Sequence, residues 1–165
     1  MEEFLKNLPE KAKSKHKDFK LLASRVRKLK PANADRIFQD LHREAFENIN
    51  CLECANCCRG LGPRIFQSDI ERMSAYLKIK TASFIDDYLR MDEDNDYVFN
   101  SMPCPFLLED NYCMIYPARP RACREYPHTD RKNIQSILSV CIKNTETCPA
   151  VLRIFETLPK ALKNK

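Results

Sequence analysis

The sequence predicts an α+β fold, predominantly helical, with one small β-hairpin set between N- and C-terminal helices. Three observations predict it. The 165 residues include only two glycines, Gly60 and Gly62, and long irregular stretches or many tight turns demand more. Apolar residues recur at helical spacing toward both ends, as Phe19, Leu22, Val26 and Leu29 and again as Val151, Leu152, Phe155, Leu158 and Leu162. The runs at 106–108 and 112–116, separated by Glu109-Asp110-Asn111, read as two short strands and their turn.

A first helix is expected over 3–30, broken near Pro9. Pro31 ends it, because the residue before a proline avoids the α region. Asn33 can cap a second helix over about 34–48, with Ile37, Phe38, Leu41, Ala45 and Ile49 as its apolar stripe. After a cysteine-rich segment at 51–58, Gly60-Leu61-Gly62-Pro63 reads as a loop. Ser68-Asp69-Ile70-Glu71 has the form of a capping box and opens a helix to about Leu77. Thr81 or Ser83 opens another to about Met91. The acidic run at 92–96 is a solvated loop, and 97–99 a short strand. Prolines punctuate a turn-and-helix segment over 117–127, and helices near 131–142 and 149–163 close the chain. The expected organisation is a single domain over 1–165. It comprises an N-terminal helical part at 1–48, a cysteine-bearing core at 49–150 and a C-terminal helix at 149–165.

Apolar residues make up 44% of the chain, which places it among globular proteins. The net charge of +5 is uneven: residues 11–30 hold nine bases against Asp18, leaving nineteen bases and twenty-two acids elsewhere. That segment reads as the solvated face of one helix, so nucleic-acid binding is not expected. With no run of about 18 apolar residues, no membrane span is expected. The first residues lack the basic start and apolar run of a signal peptide. A cytoplasmic location follows as the expectation, and there thiols stay reduced. No phosphate loop, dinucleotide fingerprint or nucleophile–base pair occurs, so no catalytic residues are assigned. A redox or protein partner remains compatible with the sequence.

Nine cysteines are present, four of them within the eight residues Cys51-Leu52-Glu53-Cys54-Ala55-Asn56-Cys57-Cys58. Thiols this close repel when several ionise, and zinc or iron–sulfur clusters are the usual cations that hold them. Cys51, Cys54 and Cys57 have the two-residue spacing that lets sulfurs share one centre. Cys58, adjacent to Cys57, either reaches a second metal or is a buried thiol. The predicted hairpin brings Cys104 and Cys113 together. Cys123 follows among Arg119, Arg121 and Arg124, whose charges would offset the roughly two negative charges of a thiolate centre. Cys148, at a helix start, completes the candidate ligands. Cys141, in an apolar helical stretch, reads as a core thiol. His128 is a candidate ligand or proton carrier, whereas His16 and His42 read as bystanders.

The set Cys51-x2-Cys54-x2-Cys57-Cys58, Cys104-Pro105-Phe106-Leu107, Cys113-Met114-Ile115-Tyr116 and Arg119-Pro120-Arg121-Ala122-Cys123-Arg124-Glu125-Tyr126-Pro127 resembles the YkgJ-type cysteine-cluster family. This family is also called the zinc- or iron-chelating domain, and the resemblance covers about 51–127. It implies a metal site. Family members often carry the label of iron–sulfur oxidoreductase, and a related domain occurs in the flagellin lysine methylase. Any enzymatic role implied is therefore redox or methylase-associated. Three cysteines at two-residue spacing with a distant Cys-Pro, here Cys104-Pro105 or Cys148-Pro149, follow the bacterial ferredoxin pattern and favour a 4Fe-4S iron–sulfur cluster. Zinc is the alternative, since eight cysteines fill two tetrahedral sites, and it would make the chain a structural or interaction module without catalysis. In that reading the basic N-terminal helix is where nucleic acid or protein would be contacted. The radical-SAM spacing C-x3-C-x2-C is absent from the cluster.

Overall fold

A computed structural model describes residues 2–163. In chain order the helices are α1 (Glu2–Ser14), α2 (His16–Arg27), α3 (Pro31–Asn48), α4 (Cys51–Cys54), α5 (Asn56–Gly60), α6 (Gln67–Leu77), α7 (Thr81–Tyr88), α8 (Arg121–Glu125), α9 (Leu138–Asn144) and α10 (Pro149–Ala161). The strands are β1 (Leu89–Met91) and β2 (Tyr97–Phe99), and 3-10 turns occupy Tyr116–Ala118 and Ile134–Ile137. The result is mostly helical with one two-stranded antiparallel sheet. The chain forms two compact units. One takes the described residues up to Glu53 and from Pro127 onward; the other is Cys54–Tyr126.

The first unit is all helix. Its core gathers around Phe155 of α10, whose ring lies 5.1 Å from that of Phe19 and 6.0 Å, edge-on, from that of Phe38. Phe19, Leu22 and Val26 are buried, and Leu29 packs against the same core, as their spacing requires. The bases of α2 stay on the solvent side of this stripe. Lys11 and Lys15 reach Glu156 on α10 at 3.2 and 2.5 Å. Burial pushes the Glu156 carboxyl up, but the hydrogen bonds and charges of these lysines outweigh it and hold the carboxyl below its ordinary value.

Three boundaries here differ from the sequence expectation. The N-terminal helix runs through Pro9 and breaks at Lys15 (φ −99°, ψ 4°), where the Ser14 hydroxyl donates to the Lys11 carbonyl. Asn33 is not a cap. Pro31 itself opens α3, since the first helical position needs no N–H donor. The helix expected near 131–142 begins as a 3-10 turn after Asn133, which is left-handed (φ 57°). The Asp35 carboxylate accepts the N–H groups of Asn133 and Ile134 at 2.9 Å each and fixes that start.

The second unit is built on an aromatic core. Phe106 is 1% exposed, and its ring sits 4.9 Å from Tyr88, 5.6 Å from Phe99 and 6.2 Å from Phe84. Ile65, Ile70, Met73, Leu89, Ile115 and Ala118 close around these rings, and Cys104 and Cys113 pack against the same cluster. The sheet pairs Leu89 with Phe99, Arg90 with Val98 and Met91 with Tyr97. This corrects the expectation of a helix to Met91. The Asp92 side chain accepts the N–H groups of Asp94 and Asp96 at 3.0 and 2.9 Å, and the turn so closed recruits 89–91 as a strand.

The hairpin expected at 106–116 is reduced to one antiparallel bridge, Leu107 with Cys113, closed by a left-handed Asn111 (φ 67°). Pairing stops there because the chain turns into a 3-10 helix at Tyr116-Pro117, and proline offers no N–H to a ladder. The capping box also moves. Phe66 caps α6 and donates its N–H to Asp69 Oδ2 at 3.1 Å, while Glu71 instead accepts from Gln67. Among the described residues no helix is long and apolar enough to cross a membrane.

Candidate metal centre

Six of the nine cysteines, Cys54, Cys57, Cys58, Cys104, Cys113 and Cys123, belong to the second unit. Cys54 ends α4. Ala55 then takes a left-handed conformation (φ 45°, ψ 15°) and turns the chain directly into α5, which carries Cys57 and Cys58. A left-handed alanine costs about 1–2 kcal/mol, and this one is 4% exposed. The 51–60 segment meets the distant one through a backbone hydrogen bond, Cys104 N–H to the Cys58 carbonyl at 2.9 Å. The Leu107–Cys113 bridge then folds Cys113 back toward Cys104. Cys123 enters on α8. The first two of these segments are thus joined by a backbone hydrogen bond, and Cys104 and Cys113 of the second pack against the aromatic core.

Electrostatics show which thiols sense one another. Burial is the first cause for Cys123, Cys104, Cys113 and Cys54, and it pushes all four up, Cys104 to about 11 and Cys123 to about 12. The charges of Cys104, Cys58 and Cys113 add to the rise at Cys123, and those of Cys58 and Cys113 to the rise at Cys104. Cys58 moves the other way, to about 7. The Cys57 sulfur lies 4.0 Å away, and a thiol hydrogen bond at that contact, with the guanidinium charges of Arg119 and Arg59, outweighs burial. Cys58 also bears on Cys54 and Cys113. Its backbone carbonyl is also the one that accepts the Cys104 N–H.

Of the three arginines expected around the centre, Arg119 is the one whose charge reaches the thiols. It favours ionisation of Cys58, Cys113 and Cys123. Its guanidinium lies 3.5 Å over the Tyr116 ring and its Nε donates to the Tyr116 carbonyl at 3.0 Å. Arg121 is exposed and paired with Glu125 at 2.6 Å, and Arg124 is exposed on the same short helix. The sequence reading missed Arg59, which acts on Cys54 and Cys58 and is held by Asn111 Oδ1 at 2.5 Å. Its place directly after Cys58 was the available signal.

The remaining candidates lie in the first unit. Cys51 is exposed at the start of α4, and Cys148 is half-buried at the cap of α10 against the helical core. Cys141 is fully buried in that core, and burial pushes its thiol up to about 12. His128 is left-handed (φ 67°) and half-buried. His42 bonds through Nδ1 to the Thr129 hydroxyl at 2.8 Å and lies against Phe46 at 4.5 Å. Burial lowers its pKa despite the nearby charge of Asp130.

Among the described residues no three His, Cys, Asp or Glu side chains are closed tightly enough to hold an ion. In kind the sulfurs of the second unit fit a metal well. The donors are soft thiols, half-buried, brought from three segments and faced by two guanidinium groups, which suits zinc or an iron–sulfur cluster over hard cations.

A family model named CxxCxxCC, described as "putative zinc- or iron-chelating domain", matches residues 50–148. The match takes in all nine cysteines, reaching past the 51–127 span of the sequence motifs to include Cys141 and Cys148. No solved structure matches the chain.

Proposed function

Since the chain belongs to the CxxCxxCC family of zinc- or iron-chelating domains, we propose that its cysteines hold an iron–sulfur cluster and that the protein serves in electron transfer or beside a transferase. The observation that carries this reading is the meeting of two cysteine segments at the Cys104 N–H to Cys58 carbonyl bond, with the Leu107–Cys113 bridge beside it and Cys123 on α8. Cys54, Cys57, Cys58, Cys104, Cys113 and Cys123 are the residues that would hold the centre. When bound, such a cluster supplies one-electron chemistry at a potential set by its charge, the hydrogen bonds to its sulfurs and its exposure.

The chain's own residues act on those variables. Arg59 and Arg119 place positive charge beside the thiolates, which favours their ionisation and offsets the added negative charge of a reduced centre. The aromatic core of Phe84, Tyr88, Phe99 and Phe106 lies beneath Cys104 and Cys113 and limits water on that side. Metal-free, the thiols pushed up by burial stay protonated at neutral pH, so loading releases protons and grows stronger as pH rises.

The test is the content of protein purified without air. Iron and acid-labile sulfide in comparable amounts, with a broad visible absorption, are expected. Zinc without sulfide would replace the cluster with the structural zinc module. Absence of both would overturn the thiolate-centre reading.

A further inference from the structure

We infer that Asp69 and Arg72 are positioning residues of the metal centre, fixing the backbone that delivers Arg119 and Cys123 to the thiol cluster. This rests on the thiolate-centre reading above.

Between the 3-10 turn at Tyr116–Ala118 and α8, the chain runs extended through Arg119 (φ −46°, ψ 144°) and Pro120 (φ −51°, ψ 149°). Extended backbone with no strand partner needs its polar groups satisfied from elsewhere. Here α6 does so. The Arg72 guanidinium donates through Nη2 to the Arg119 carbonyl at 2.9 Å and through Nε to the Ala118 carbonyl at 3.4 Å. The same Nη2 is ion-paired with Asp69 Oδ1. That oxygen also accepts the Arg121 N–H at 2.9 Å, while Oδ2 accepts the Phe66 N–H. One carboxylate, 1% exposed, and one guanidinium thus grip the chain on both sides of Arg119, at 118, 119 and 121.

The consequence reaches the thiols by two routes. Arg119, so held, lays its guanidinium 3.5 Å over the Tyr116 ring, and the Tyr116 N–H donates to the Cys113 carbonyl at 3.0 Å, which sets that charge on the Cys113 side of the cluster. Cys123 sits two residues beyond the Arg121 N–H that Asp69 holds. A buried carboxylate such as Asp69 is costly to keep charged, even with the half-buried Arg72 as its partner. A role in placing a charge and a ligand accounts for its presence. Arginine is needed, because its planar fork reaches two carbonyls and the carboxylate together, which a lysine ammonium on a flexible stem does not.

The test uses the full chain, reduced and metal-free, titrated with Cd2+ and followed by the sulfur-to-cadmium absorption. The variants are Arg72→Lys, Arg119→Gln, both together, and Arg90→Gln as a charge control on exposed β1. Arg72→Lys and Arg119→Gln should each weaken Cd2+ binding, within the ~10–100-fold that loss of an outer partner of a metal site costs. The double variant should lose less than the product of the two single losses, because Arg72 acts in part through the Arg119 charge and in part through the placement of Cys123. Unchanged binding in Arg72→Lys, or losses that multiply in the double variant, would overturn the inference while leaving the metal reading intact. A wild-type chain that gives no sulfur-to-cadmium band would overturn both. Should Arg72→Lys fail to fold, Asp69→Asn, which keeps one acceptor oxygen, takes its place in the same cycle. Weakened binding that does not multiply with Arg119→Gln is then expected, and unchanged binding or multiplying losses would overturn the inference.

Discussion

Phe106→Ala tests whether the aromatic core is the platform of the thiol cluster. The side chain is 1% exposed and touches three rings, those of Phe84, Tyr88 and Phe99, at 4.9–6.2 Å. Truncating a buried phenylalanine costs about 3–5 kcal/mol, and the lost ring contacts are part of that cost. With a loss of ~4 kcal/mol and a urea m-value of ~2 kcal/mol/M, the midpoint falls by about 2 M. The reporter is built in. The chain has no tryptophan, and its six tyrosines all lie within Cys54–Tyr126, so tyrosine emission follows the cysteine-bearing unit alone. Phe106 lies two residues from Cys104, and its carbonyl accepts the N–H of Met114, the neighbour of Cys113, at 2.8 Å. The milder Phe106→Leu should therefore weaken Cd2+ binding along with stability. A midpoint shift under about 0.5 M for the alanine variant, roughly 1 kcal/mol at that m-value, would refute the reasoning.

Cys141→Ser should leave bound metal per chain unchanged while costing about 1–3 kcal/mol, because it buries a hydroxyl in an apolar core; Cys54→Ser should lose metal, and equal metal loss from the two would remove the distinction drawn between them. Burial lowers the His42 pKa in the fold, so the unfolded chain takes up a proton first as pH falls through about 6.5. Folding stability should therefore be full above that pH and decline below it down to the folded pKa, and His42→Gln should flatten this window in urea titrations at stepped pH. The bases at 11–30 should give only weak, salt-sensitive nucleic-acid binding, no tighter than ~10⁻⁵ M at physiological salt. Sub-micromolar binding lost on neutralising Lys13, Lys17, Lys20 and Arg27 would contradict that.

The helical ends were legible because burying a stripe on a helix demands a fixed spacing, and Phe19, Leu22, Val26 and Phe155 keep it. The cysteine motif was legible because ligand chemistry constrains residue type and local spacing together. The errors cluster where a side chain or a turn overrode local preference. Leu89–Met91 became a strand because Asp92 closes a turn onto Tyr97–Phe99. Ser68 lost its capping role because Asp69, two residues past the true start of α6, reaches back to Phe66.

By itself the sequence determined a helical α+β chain, a thiol-rich centre and membership of a metal-chelating family, since each is written in composition or short-range spacing. Tertiary structure decided which of the candidates come together. It joined the Cys58 carbonyl to the Cys104 N–H, left Arg121 and Arg124 exposed, and brought Arg72 to carbonyls 46 and 47 residues away. Such pairings leave no local pattern. They depend on where an extended segment finds partners for its backbone, and that is settled only once helix and loop have packed together.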